Sequence, residues 1–266
     1  MIPCWEKMTD YEEFGYRNKK RKIMHKKGKI HIGTSGWHYK HWKGTFYPEG
    51  TKDIDQLGLY IKTFKTVEIN SSFYHLPLAQ TFINWREKVP ADFIFSVKGS
   101  RYITHLKKLK VTKEELVQFL DNAMGLKEKM GPILFQLPPG WNMDIQRLDD
   151  FLQLLPEHYR YVFEFRNHTW YNEEVYDLLK KHNCSFCIYE LGGHLSPKEI
   201  TADFVYVRLH GPDNKYEGSY PAETLKMWAK QCLQWQEKGL DVFVYFDNDQ
   251  YAYAAFNAMD LKRYTE

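Results

Sequence analysis

The chain has 266 residues, of which 43% are hydrophobic and 27% charged, with a formal net charge of +3. That suffices for one large α/β domain or two small ones. No run approaches the roughly 20 apolar residues that span a bilayer, and four cysteines in so long a chain make no disulfide scaffold.

The first segment, "MIPCWEKMTDYEEFGYRNKKRK", has no apolar stretch of the secretory kind, so a cytoplasmic protein is expected. Residues 1–29 hold nine Lys and Arg against four Asp and Glu, whereas the remainder holds 28 against 30. The net positive charge therefore sits in a basic N-terminal extension, 1–29. The plainer reading of that extension is a solvated leader, and the bolder one a contact for RNA or another phosphate-rich partner.

From residue 30 onward apolar, strand-like runs alternate with helix-like stretches. The strands expected are 30–36, 66–70, 93–98, 132–137, 161–166, 185–190, 204–210 and 241–246. Amphipathic stretches follow at 113–129, 146–155, 172–182 and 222–238. Thr112 with Glu115 forms a capping-box pattern, and Gly239 stands where a helix C-terminus wants glycine. The segment "LGGHLSPKEITADF" between the sixth and seventh strands has room for a turn or two of helix at most.

Strands alternating with helices imply parallel pairing through right-handed crossovers, and eight such units match a (β/α)8 TIM-like barrel. The rival doubly wound sheet would show G-x-G-x-x-G after its first strand; "GTSGWHYKHW" is not that. No linker or repeat divides residues 30–266, which are read as one domain.

Alternate residues of a strand share a face. Glu68 and Asn70 share one parity, as do Ser96 and Lys98, Glu164 and Arg166, and Arg208 and His210. Gln136 ends the fourth strand, and the eighth runs into "FDNDQY". The polar parity is expected to face the barrel interior, with its charges at the C-terminal mouth where such barrels carry their sites. Glu68, Glu164 and His210 are then candidates for acid–base work. Lys98, Arg166 and Arg208 suit a small anionic substrate, phosphorylated or sugar-like. The competing structural reading is an ion-pair plug that fills the barrel.

A divalent metal is compatible with the oxygen and nitrogen donors of Glu68, Glu164, His210 and Asn248 or Asp249. Three nearby cations and the lack of H-x-x-x-H speak against it, and no tightly bound organic cofactor is expected. Asp249 also reads as the N-cap of the last helix. Cys184 and Cys187, spaced CxxC but within a strand, read as structural. Trp37, His38, Tyr39, Trp42 and Phe46 either wall the mouth or pack a small core of their own. Used with the basic extension, these rings define a second reading, a non-catalytic nucleotide or nucleic-acid binding module. The loop 211–221, with Gly211 and Gly218, is long enough for a lid.

The segments "IGTSGWHYKHWKGTFYP", "VEINSSFYHLP", "FSVKGSRYITHLKKL", "GPILFQLPPGW", "FEFRNHTW", "ADFVYVRLHGP" and "VYFDND" together resemble the YecE-like family, domain of unknown function seventy-two. The resemblance implies a TIM-like barrel and supplies no reaction. It adds motif positions as candidate substrate contacts: Trp37, Asn70, Arg101, Tyr102, Gln136, Trp170, Asn248 and Asp249, beside the charged set above. Two departures stand out. Asp247-Asn248-Asp249 replaces the usual Asn-Asn-Asp, and "YAYA" replaces a Gly-His just downstream.

Overall fold

The computed structural model describes residues 26–266. Most of the basic extension, and with it the expected RNA or phosphate contact, lies outside the described residues. The chain runs through β1 (Ile30–Thr34), β2 (Thr66–Ile69), β3 (Ile94–Lys98), β4 (Met130–Leu137), β5 (Tyr161–Phe165) and β6 (Ser185–Leu191). It continues through β7 (His194–Leu195), β8 (Phe204–Leu209) and β9 (Asp241–Phe246). Apart from the short β7, the strands are parallel, in the order β1-β9-β8-β6-β5-β4-β3-β2. Each lies within two residues of the bounds expected from the sequence. The architecture is a nearly closed eight-stranded parallel α/β barrel of the TIM type.

The seam between β1 and β2 explains "nearly". A single bridge, Ser35 to Glu68, pairs them at the mouth. Lower down, the Tyr60 hydroxyl fills the gap, accepting from the Thr34 N–H and donating to the Thr66 carbonyl, each at 3.0 Å. Gly33 allows the approach, since a Cβ there would sit 2.3 Å from the Thr66 oxygen.

Helices cover the outer face: α1 (Gln56–Tyr60), α2 (Ser71–Tyr74), α3 (Ala79–Glu87), α4 (Lys113–Ala123), α5 (Ile145–Leu154), α6 (Glu173–Lys181), α7 (Ala222–Glu237) and α8 (Tyr253–Thr265). The Thr112–Glu115 capping box forms at the start of α4, and Gly239 follows α7 with φ +85°. The helix expected over 113–129 ends early and continues as a tight 3-10 stretch, Met124–Lys129. Gly125 lies so close to α3 that a Cβ would meet the Ala79 oxygen at 2.7 Å, and Lys127 leaves helical geometry. Between β6 and β8 no helix forms. Gly192 and Gly193 turn the chain at positive φ so that β7 folds back on β6. Thr201 accepts from the Phe186 N–H and donates to the Cys184 carbonyl, satisfying backbone groups at the start of β6 before its pairing with β8 begins at Cys187.

The parity expectation is met. Val67, Phe95, Ile133, Phe163, Val205 and Val244 face the helices in the large outer core. Leu134, Val162, Cys187, Phe204, Tyr206, Phe243 and Tyr245 form a second, inner core. Each large side chain so buried contributes about 1.5–3 kcal/mol, and this double core is what fixes the strand ends of the mouth. Among the described residues, no helix is long and apolar enough to cross a membrane.

Candidate functional site at the barrel mouth

The barrel interior grows more polar toward the C-terminal strand ends. Midway up, the Tyr245 hydroxyl meets Thr66 Oγ1 at 2.6 Å and accepts from Ser96 Oγ at 2.9 Å. One step higher lie the charged residues expected from parity, brought together by barrel closure. Arg208 is their hub. Its Nη1 donates to Glu164 Oε2 at 2.8 Å, and its Nη2 donates to Glu68 Oε1 at 2.7 Å and Asp247 Oδ2 at 3.1 Å. Ser35 and Tyr206 donate to the two oxygens of Glu68 at 2.5 and 2.7 Å. Arg208, Glu68 and Glu164 have no solvent exposure at all.

Burying these charges is tolerable only because they are paired and hydrogen-bonded. Burial pushes the Glu164 carboxyl up, and the guanidinium groups of Arg166 and Arg208 more than reverse this, holding it well below the usual range. Asp247 follows the same logic: burial raises it, and Arg208 and His210 bring it below its ordinary value. Arg208 keeps one orphan, its buried Nε.

His210 is locked in place. Its Nε2 faces Arg166 Nη2 at 2.9 Å and Arg208 Nη1 at 3.2 Å, while Nδ1 meets Asp247 Oδ2 at 3.0 Å. Guanidinium groups only donate, so Nε2 carries the lone pair and Nδ1 carries the proton that Asp247 accepts. His210 has no exposure and both its nitrogens are engaged. The oxygens of Glu68 and Glu164 are engaged in the same way. The three residues expected to carry out acid–base work are thus brought together at the centre of the tier, each held by its neighbours.

Asp247 is the residue that sequence reasoning passed over. Phe243, Tyr245 and Asp247 share the inward parity of β9, so the alternation rule that selected Arg208 and His210 would have found it. Asp247 therefore adds a third carboxylate at the hub. Tyr251 and Ala252, at φ +52° and +60°, then turn the chain into α8 in a conformation glycine would adopt without strain.

Two cations reach the open side. Lys98, on the last residue of β3, is 9% exposed. Its Nζ lies 4.5 Å above the Phe73 ring and within ion-pair distance of no described carboxylate. Burial and the neighbouring Arg208 bring its ammonium down to about 8. Arg166 donates through Nε to Glu164 and through Nη2 to His210, and its guanidinium lies 4.6 Å over the Tyr189 ring. Its Nη1 is taken by no described residue. Tyr216, from the loop expected to be a lid, stands edge-on 5.5 Å from the His210 ring. Gly211 and Gly218 both turn that loop at positive φ, and Asn248 pins it by donating to the Gly218 carbonyl at 2.8 Å.

The remaining candidates divide. Asn70 and Gln136 have the inward parity, Gln136 in register with Glu164, and Asn70 Oδ1 is buried without a partner. Asn70, Trp37, Tyr39, Tyr74 and Trp85 line a cleft of about 630 Å³ beside the mouth. Trp170 is a correction: it is fully buried, stacked on Phe165 at 4.9 Å and donating to the Trp141 carbonyl, because the outer core claims it. Tyr102 turns to α4, where its hydroxyl binds Glu115, and Arg101 is exposed. Asn248 serves the loop and Asn257. Asp249 makes no cap hydrogen bond; its carbonyl accepts from His41 and Trp42 instead.

Of the loop aromatics, Trp42 is fully buried and Trp37 nearly so, so the rings mostly pack a small core and only its edge faces the cleft. Among the described residues, no group of three or more His, Cys, Asp or Glu is arranged to hold a metal ion. The oxygens of Glu68 and Glu164 are taken by Arg208, Arg166, Ser35 and Tyr206. Cys184 and Cys187 are buried free thiols, Cys184 pushed by burial up to about 12.

A family model described as "Protein of unknown function DUF72" matches residues 31–266. The UPF0759 protein YunF of Bacillus subtilis is 24% identical over 266 residues, covering 87% of this chain and 93% of that protein. The UPF0759 protein YecE of Escherichia coli is 29% identical over 139 residues, 52% of this chain and 48% of that protein. A solved DUF72 family protein from Thermotoga maritima superposes with TM-score 0.80 at 28% identity, covering 88% of this chain and 98% of that one. Another, from Enterococcus faecalis, has the same fold, with TM-score 0.77 at 19% identity over 89% and 95%.

Proposed function

The chain belongs to the DUF72 family, and from that premise we propose an enzyme that binds a small anionic substrate, phosphorylated or sugar-like, at the C-terminal mouth. One observation carries the reading. In a tier whose carboxylates are all engaged, the Lys98 ammonium and the outer amino group of Arg166 are, beside the sealed Arg208 Nε, the cationic donors that no described residue takes. Donors of this kind, largely withdrawn from water, favour an anion over a neutral ligand.

Acid–base work then falls to Lys98, whose ammonium, near 8, exchanges its proton close to neutral pH. Glu68, Glu164, His210 and Asp247 hold the arginines in place. Perturbed groups at the C-terminal end of a barrel support an enzyme over a passive binder.

Titration with inorganic phosphate, followed by amide NMR shifts, tests the reading. The expected result is shifts confined to β3, β5 and the 211–221 loop, with affinity falling at least tenfold in Lys98→Met and in Arg166→Gln. Equal binding by all three proteins, or shifts away from the mouth, would overturn it.

A further inference from the structure

We propose that Lys98 forms an imine with its ligand, so that the mouth takes a small aldehyde or ketone that also carries an anionic group. This rests on reading the mouth as an anion site and deepens it by naming the reacting group.

The argument is geometric first. Lys98 ends β3 on the inward parity, its carbonyl held by Ser72 Oγ at 2.6 Å. The carboxylates around it, Glu68, Glu164 and Asp247, are engaged by Arg208, Arg166 and His210. The amine instead rests over the Phe73 ring, whose edge meets His105 at 5.0 Å. A lysine kept for charge alone would gain by pairing directly with a carboxylate, and this one pairs with none, because the carboxylates near it are taken by other cations.

Its ammonium, brought to about 8 by burial and Arg208, leaves roughly a tenth of the amine free at pH 7, against well under a thousandth for an ordinary lysine. Free amine is the nucleophile in imine formation. The described thiols offer no competition, being buried with their ionisation pushed up. Arg166 Nη1 lies free to hold the anionic end of the same molecule.

The chemistry balances without an oxidant or reductant. The neutral amine adds to the carbonyl carbon, the π pair moves to oxygen, and the proton shed by nitrogen passes to that oxygen. The nitrogen lone pair then expels the hydroxyl, which leaves as water with a proton from solvent, giving an iminium that returns a proton to form the imine. The sum is carbonyl plus amine to imine plus water.

Reductive trapping tests this on the wild-type protein, so that no variant need fold. The protein is held at pH 7 with limiting glyoxylate and cyanoborohydride, which reduces any imine to a carboxymethyl amine, and is then mapped by peptide mass spectrometry. Lys98 is expected to be modified at least tenfold faster than the exposed Lys88 and Lys107, with the modification suppressed by excess inorganic phosphate and absent in Lys98→Arg. Modification of Lys98 no faster than of those surface lysines overturns the imine. Should phosphate still bind at the mouth in that case, the anion site stands without it; should phosphate binding be absent too, both readings fall.

Discussion

Arg208 and Lys98 stand in one charged tier of the barrel, and the chain treats them in opposite ways. Around Arg208 the interior is sealed: three carboxylates, a serine hydroxyl and an imidazole meet one guanidinium with no solvent exposure. At the β3 edge, Lys98 is nearly as buried and has no carboxylate partner. A buried charge is therefore no mark of a site by itself; the informative feature is a buried charge whose partner the protein does not supply. The plug reading describes the Arg208 part of the tier, and the site reading is what we propose for the Lys98 part.

Breaking the sealed side should produce the largest effect. Arg208→Met strands Glu68 without a counter-charge and leaves Glu164 only Arg166, and is expected to cost about 3–5 kcal/mol in urea unfolding. Replacing Glu68 as well by an apolar residue should recover part of that loss. A single variant that costs nothing would show the tier to be far wetter than its geometry.

The open side should respond with the opposite sign. The folded-state value of Lys98, about 8, lies below its ordinary value. Between the two the unfolded chain binds more protons, and stability rises with pH. The cost of burying the ammonium is complete below pH 8 and gone above roughly 10.5. Lys98→Met should therefore stabilise the protein by about 3 kcal/mol at pH 7 and by nothing near pH 10.5. Unfolding curves at the two pH values check both sign and window.

Asp247 joins Arg208 and His210 through one oxygen, and Asp247→Asn should cost about 1–2 kcal/mol at pH 7. Its depressed carboxyl contributes stability that is present above the ordinary value near 4 and lost as pH falls through the folded one. The variant should accordingly lose stability less steeply in acid. Smallest is Tyr216→Ala, on the loop above His210. A change within about 0.5 kcal/mol is expected in thermal melts, with faster reductive modification of Lys98 through the widened mouth.

Much of this was legible in the residues. Alternation along β2, β3, β5 and β8 assigned the inward face, and the run of strand and helix patterns assigned the barrel. The same rule, carried one strand further, reaches Asp247. Trp170 lies in the outer core and Tyr102 against α4, because a motif position says nothing about whether a ring turns to the core, to a helix or to a ligand. That depends on how helices dock.

Strand bounds, parity and the gathering of polar residues at one end follow from local periodicity, because a pleated strand alternates whatever surrounds it. Which carboxylate meets which cation follows from closure. Arg208 reaches Glu68 and Ser35 across 140 and 173 residues of chain, distances over which no local pattern carries information. Only the closed barrel decides that Arg208 meets three carboxylates and that Lys98 pairs with none.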